Sequence, residues 1–408
     1  MTKQDAINLL TQKDQLQLLS FYDTLTPEQQ ENLLAQIEGI DWSLLDVLKT
    51  HETVNARGTF APLSAMELSQ IDANRAHLEE VGLQAIREGK VAAVLLAGGQ
   101  GTRLGFDKPK GMYNIGVTRE LYIFECLINN VMEIVKKAGA WIPFYIMTSD
   151  KNYDDTTAFL KEKNYFGYNA EYIHFFKQDM APSVDYNGKL LMEAPDSLSL
   201  SPNGNGGWFI SMVRAGLLDT IKELGVEWLN VFSVDNVLQK IADPIFVGAV
   251  LKHGCVCGSK VVAKADPYEK VGVLCLEDGR PSIVEYYEMT EEMIHLRDKQ
   301  GKLLYNYGVI LNYLFSVATL EKIMNENLPT HIVEKKIPYM DAEGKQIKPD
   351  KPNGYKFETL VLDMIHMMDN CLSFEVEREK EFAPIKNATG VDSLESAREL
   401  MTKNGIEF

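Results

Sequence analysis

The sequence has 408 residues, 45% of them apolar, and a formal net charge of -17 at pH 7. That length exceeds one small domain and supplies apolar residues for a sizeable core. The charge argues against a nucleic-acid-binding surface, which would need a basic patch; any phosphate ligand must be held by local cations working against the global field. No run approaches ~18 consecutive apolar residues, so no transmembrane helix is expected. Met1–Ser20 is polar and lacks an apolar stretch before a cleavage site, so a cytoplasmic location away from membranes is expected. The five cysteines, Cys126, Cys255, Cys257, Cys275 and Cys371, are odd in number and scattered, which does not suggest a disulfide framework. His253-Gly-Cys255-Val-Cys257 fits no common structural zinc spacing and runs straight into a strand-like segment.

In chain order, residues 1 to 88 read as helical. Gln15–Phe21 and Leu33–Ile37 carry apolar residues at three- and four-residue spacing. Thr26-Pro27 is a helix start, and Pro62 breaks the pattern before a second helical run over Ser64–Arg87. From Val91 the texture changes. Val91–Leu96 is a continuous apolar run, as expected of a strand buried on both faces. Then come a helix over Leu121–Ala138, a strand over Phe144–Thr148, a helix over Asp154–Lys163 and a strand over Tyr172–Phe176. A helix over Gly207–Leu224, a strand over Trp228–Val234 and a helix over Pro244–His253 follow. Gly272–Glu285 reads as a hairpin turning at Asp278-Gly279. A helix over Phe357–Met368 is expected in the last segment. Alternating β and α units imply an α/β class with a doubly wound, mostly parallel sheet. The expected domains are a helical segment 1–88, a main α/β domain 89–385 and a short tail 386–408.

The strongest chemical signal is Leu95-Leu-Ala97-Gly98-Gly99-Gln100-Gly101-Thr102-Arg103-Leu-Gly105, followed by Lys108-Pro109-Lys110-Gly111. It sits at the carboxyl end of the first predicted parallel strand, where open α/β sheets bind ligands. Glycines let backbone N–H groups approach phosphate oxygens, Arg103 adds a planar fork, and Lys110 adds a point charge. The run is neither a P-loop nor a dinucleotide-binding fingerprint. A second run, Ser201-Pro-Asn-Gly204-Asn205-Gly206-Gly207, follows a strand-poor stretch and opens a helix; by itself it reads equally as a structural glycine loop. Asp235 ends the strand Trp228–Val234, which suits a carboxylate holding Mg²⁺ against phosphate, although such a position also suits a turn or cap.

The first run closely resembles the signature of the UDP-N-acetylhexosamine pyrophosphorylases, a branch of the UDP-sugar pyrophosphorylases. The resemblance extends through Pro143–Ser149 and Lys348–Gly354 and covers most of residues 90 to 390. It implies a Rossmann-like nucleotidyltransferase fold and a uridylyltransferase that joins UTP to a sugar 1-phosphate, giving a UDP-sugar and pyrophosphate. It also implies that Ala97, Gly98, Gly99, Gly101 and Thr102 wrap the nucleotide, with Arg103 and Lys110 on its phosphates. Gln178 and Gly204 would meet uracil, and Asn205, Glu285 and Asn306 the sugar side. Asp235 would hold Mg²⁺, and Lys386 would reach back to the phosphates. Gln100, Arg103 and Gly111 favour the N-acetylhexosamine branch over the UDP-glucose branch. Val309, Leu360 and Leu362 depart from that branch at sugar-pocket positions, which leaves a UTP–glucose-1-phosphate uridylyltransferase or a broad-specificity UDP-sugar pyrophosphorylase as the alternative.

Overall fold

The expected parallel strands lie side by side and form one end of a ten-stranded sheet. The structure, a computed structural model, describes residues 1–50, 57–324, 326 and 328–408. In chain order the sheet contains β1 (Phe60–Pro62), β2 (Val91–Leu96), β3 (Phe144–Thr148), β4 (Ile173–Lys177) and β5 (Trp228–Ser233). It continues with β6 (Cys257–Ala263), β7 (Val273–Glu277), β8 (Arg280–Val284), β9 (Tyr307–Ser316) and β10 (Leu372–Glu375). β5, β2, β3 and β4 are parallel neighbours in that order. Every residue of β2 and β3 is buried, as the unbroken apolar run of β2 requires. β9, which no sequence pattern singled out, pairs antiparallel with β5, with β6 and, at Gly308, with β7. The β7–β8 hairpin turns where expected: Asp278 and Gly279 both have positive φ, 50° and 81°, as a type I′ turn demands.

These strands belong to a compact unit made of Gly58–Gln178, Trp208–Asn327 and Leu362–Phe408. The helix Leu68–Arg87 is part of this unit rather than of a separate N-terminal segment. It packs backbone to backbone on the helix Pro244–Lys252: a Cβ on Gly82 would lie 1.8 Å from the Pro244 oxygen, and one on Gly248 1.8 Å from the Leu78 oxygen. Only glycine permits that approach. The expected helix over 207–224 is two helices, Trp208–Arg214 and Leu217–Glu223, divided at Gly216, whose φ is 76°. The last residues form a helix, Leu394–Lys403, that buries Ala397 and Met401 in the main core, and Thr118 donates to the Phe408 oxygen.

A second compact unit comprises Met1–Arg57, Asp179–Gly207 and Leu328–Val361. Its helices Lys3–Gln12 and Pro27–Glu38 begin with reciprocal side-chain caps, Thr2 with Asp5 and Thr26 with Gln29. They bury Leu10, Leu33 and Ile37 with Val184, Leu198 and Phe357. The stretch before Ser201 is not strand-poor: Met180–Pro182 pairs with Leu200–Pro202. Nor is Phe357 the start of a long helix. Gly354–Glu358 is a strand between His331–Lys335 and Val184-Asp185, followed by a short helix, Val361–His366. Long-range pairing, with Phe357 buried in this unit's core, overrides the local apolar spacing. The two units thus draw on three chain segments each, unlike the contiguous domains expected from the sequence.

Candidate active site

The glycine-rich run leaves β2 at its carboxyl end and folds back on itself. The Ala97 N–H donates to Met147 in β3, and the Ala97 oxygen accepts from the buried Asn152 amide at 2.9 Å. Gly101 N–H donates to the Lys108 oxygen and Lys110 N–H to the Gly99 oxygen, closing the loop. Thr102–Leu104 forms a single 3₁₀ turn that ends at Gly105, φ 70°. Gly99 has open space where a side chain would be, so its backbone is accessible. Among the described residues, the N–H groups of Gly98, Gly99, Thr102 and Arg103 have no hydrogen-bond partner. The exposed Arg103 guanidinium likewise has no ion-pair partner among them. Unpaired N–H groups and an unpaired guanidinium on one loop suit an anionic ligand.

Lys110 and Asp235 are 125 residues apart, yet the Lys110 Nζ lies 2.5 Å from Asp235 Oδ1. The parallel pairing of β2 and β5 creates this contact by bringing both strand ends together, with Val234 N–H still donating to Leu96. The pair is partly buried, with side-chain exposures of 12% and 30%. Ile385 N–H donates to the Asp235 oxygen at 2.9 Å, so the segment ending in Lys386 runs beside Asp235. The Lys386 ammonium itself is held by Asp392 at 3.0 Å.

Gln178 follows β4, is buried, and donates its N–H to Thr148 at the end of β3. Its side-chain amide lies against Gly98: a Cβ there would be 2.3 Å from Nε2. Glu285 follows β8 and is half-buried, its N–H donating to Glu288 at 2.8 Å. Asn306, buried just before β9, accepts the Lys264 N–H on its backbone oxygen. Burial lowers the Lys264 pKa, and its ammonium donates to the Pro267 oxygen. Val309 N–H donates to Gly272 across the sheet.

The second glycine run lies in the other unit. Gly204 has φ 86°, and a Cβ on it would be 2.2 Å from the Thr359 oxygen. Its glycine is therefore required by the backbone of Thr359. Asn205 Oδ1 accepts the Val361 N–H at 3.0 Å.

A buried charged cluster contains Glu381, five residues before Lys386. Lys260, inside the apolar strand β6, is fully buried with Asp243 and Glu381 at 2.9 and 2.6 Å. A lysine in an otherwise apolar strand was the available signal. Cys126, Cys255, Cys257 and Cys371 are free thiols, with Cys257 and Cys371 lying 3.4 Å apart.

A glycine-rich loop and a lysine–carboxylate pair stand at the carboxyl ends of adjacent parallel strands, where open α/β sheets bind their ligands. The chain belongs to the UTP–glucose-1-phosphate uridylyltransferase family, whose model matches residues 35–404. It is 36% identical over 417 residues to UDP-N-acetylhexosamine pyrophosphorylase-like protein 1 of Mus musculus, covering 96% of this chain and 82% of that one. It is also 36% identical over 433 residues to the UDP-N-acetylglucosamine pyrophosphorylase of Saccharomyces cerevisiae, covering 99% and 90%. Its fold is similar to that of the uridine diphosphate N-acetylglucosamine pyrophosphorylase from Trypanosoma brucei, solved with an inhibitor. That match has a TM-score of 0.85 at 27% identity and covers 99% and 85% of the two chains. The branch expected from the glycine-rich run is therefore borne out, as is the nucleotidyltransferase-type α/β fold.

Proposed function

We propose that this chain is a uridylyltransferase that makes a UDP-sugar and pyrophosphate from UTP and a sugar 1-phosphate, with N-acetylglucosamine 1-phosphate preferred. The observation that carries the reading is Lys110 seated on Asp235 beside a loop with free N–H groups and an unpaired Arg103. The names of the relatives support the same chemistry and sugar.

A sugar-phosphate oxygen attacks the α-phosphorus of UTP, forming one P–O bond as the α–β bond breaks and pyrophosphate leaves. The attacking phosphate is largely anionic at neutral pH, its second pKa being about 6, so no strong general base is needed. Positioning and charge neutralisation do the rest. Arg103 and Lys110 bind the phosphates of UTP and the departing pyrophosphate, with the N–H groups of Gly98, Gly99 and Thr102. Lys386 leaves Asp392 to bind the sugar phosphate. Gln178, braced by Gly98, reads the uracil edge. Glu285 and Asn306 serve the sugar.

Asp235 fits a Mg²⁺ ligand. Its partly exposed carboxylate ends a parallel strand and already faces a cation, and Mg²⁺ commonly binds through one carboxylate plus substrate phosphates. When bound, the ion supplies neutralisation of phosphate charge. The thiols of Cys126, Cys255, Cys257 and Cys371 are free, which fits a reducing compartment and supports the cytoplasm as the place of reaction. Among the described residues, no helix is long and apolar enough to cross a membrane.

The family model named for glucose 1-phosphate, together with Val309, Leu360 and Leu362, supports a second reading in which glucose 1-phosphate is the better substrate. Pyrophosphate release measured with UTP and each sugar 1-phosphate decides between them. The expected kcat/KM ratio favours N-acetylglucosamine 1-phosphate by about 10–200-fold, the range an apolar pocket achieves. A ratio favouring glucose 1-phosphate selects the second reading; no pyrophosphate with any sugar refutes both.

A further inference from the structure

Asp235 begins a turn, residues 235–238, and Lys386 ends a segment, residues 381–386; one buried side chain ties the two together. Asn236 is 1% exposed. Its Nδ2 donates to the Glu381 oxygen at 2.7 Å, and its Oδ1 accepts from Ala383 N–H at 2.9 Å and from Leu238 N–H at 3.3 Å. On either side of it Ile385 N–H donates to Asp235 and Val237 N–H to Ala383. The segment is anchored from behind. The Glu381 carboxylate accepts from the wholly buried Lys260, whose ammonium also bonds Asp243 and the Lys240 oxygen. Asp243 in turn caps the helix Pro244–Lys252 through Ile245 N–H. Gln239 closes the turn, its Nε2 donating to Ser233 and Asn236.

Core stability alone does not account for this arrangement. Well-packed apolar side chains in place of a buried ion cluster are often as stable or more so. What the cluster does is allow one geometry: every polar group has a partner only when the 381–386 segment lies against the 235–238 turn. We propose that Asn236, backed by Glu381 and Lys260, is a positioning residue that holds the Lys386 segment against Asp235. The cation for the sugar phosphate and the carboxylate for the metal then keep one separation. The proposal rests on the roles given above to Asp235 and Lys386.

The test compares Asn236→Ala, Lys386→Ala and the double variant, with kcat expressed per folded molecule well below Tm. Asn236→Ala is expected to lose on the order of 10²-fold in kcat, the scale of a 1 Å misplacement, with little change in KM for UTP. The double variant is expected to turn over no more slowly than Lys386→Ala, because Asn236 acts through Lys386. Asn236→Ser, which keeps a hydroxyl in place of the amide, is expected to lose less in the same direction, and it decides the matter if Asn236→Ala does not fold. Wild-type kcat per folded molecule in the Asn236 variants overturns the proposal, as does a double variant whose losses multiply. Full turnover by Lys386→Ala overturns the role of Lys386 and this proposal with it, whereas loss in Lys386→Ala with none at Asn236 overturns the positioning role alone.

Discussion

Replacing Gly98 by alanine tests the base-reading role of Gln178. The new Cβ would lie 2.3 Å from Gln178 Nε2, 2.8 Å from its Cδ and 3.1 Å from its Oε1, whereas ordinary contact begins at 3.4 Å. The amide must therefore retreat by about 1 Å, a misplacement that costs on the order of 10²-fold in turnover. The obstacle is the end of a side chain rather than backbone, so the chain yields by moving Gln178 and keeps its fold. Gly98 does not have the positive φ that would strain alanine. The expected result is a fall of about 10–100-fold in kcat/KM for UTP, with Tm lowered by no more than ~4 °C. Steady-state rates at saturating sugar 1-phosphate, read beside a thermal melt, provide the measurement. Gln178→Ala is the comparator: with the amide gone, the extra methyl should cost little more. Unchanged kcat/KM in Gly98→Ala, or the same loss whether or not Gln178 is present, refutes the reasoning.

Arg103→Ala and Lys110→Ala should each lower kcat by on the order of 10²-fold or more, as loss of one preorganised donor does, with the fold retained by circular dichroism; near-normal turnover in both removes the phosphate loop from the mechanism. A chelator should abolish activity and Mg²⁺ restore it, and Asp235→Asn should weaken the Mg²⁺ response far more than uridine binding. A wild-type Mg²⁺ response in that variant would rule Asp235 out as the ligand. Stability should depend on pH through Lys260 and Asp243. Burial pushes the Asp243 carboxyl up, but the adjacent Lys260 ammonium outweighs it and holds the carboxyl below its ordinary value near ~3.9. Burial pushes Lys260 down, and Asp243 and Glu381 outweigh it to raise the ammonium above its ordinary ~10.4. The pair therefore stabilises fully between about pH 4 and pH 10, fading as pH falls through the depressed carboxyl value or rises through the raised ammonium value. Urea unfolding of wild type against Asp243→Asn should show a gap of about 3 kcal/mol near neutrality that shrinks below about pH 4; a gap of equal size at pH 3 and pH 7 contradicts the assignment.

Much of the site was legible because its signals are local. A run of buried apolar residues is a strand wherever it lies, and a glycine run directly after it can hardly be anything but a turn at the strand's end. Asp235 was legible for the same reason. Family resemblance added the reaction and carried Gln178 and Lys386, which no local pattern marks. Contacts between distant residues were not legible. Nothing in the chain announces that Lys110 meets Asp235, since that follows from β2 and β5 pairing in parallel. Phe357 and Glu358 read as the start of a helix and end a strand instead, because Phe357 is buried against residues far away in sequence. The backbone of Thr359 comes so close to Gly204 that only glycine fits there, and no local pattern shows that approach. Nothing local shows which partners Lys260 will meet: two carboxylates, 17 residues before it and 121 after, close around it. Periodicity and turn chemistry act over a few residues and are written in the sequence. Register, burial and ion pairing depend on which distant segments come together, and only the tertiary structure decides that.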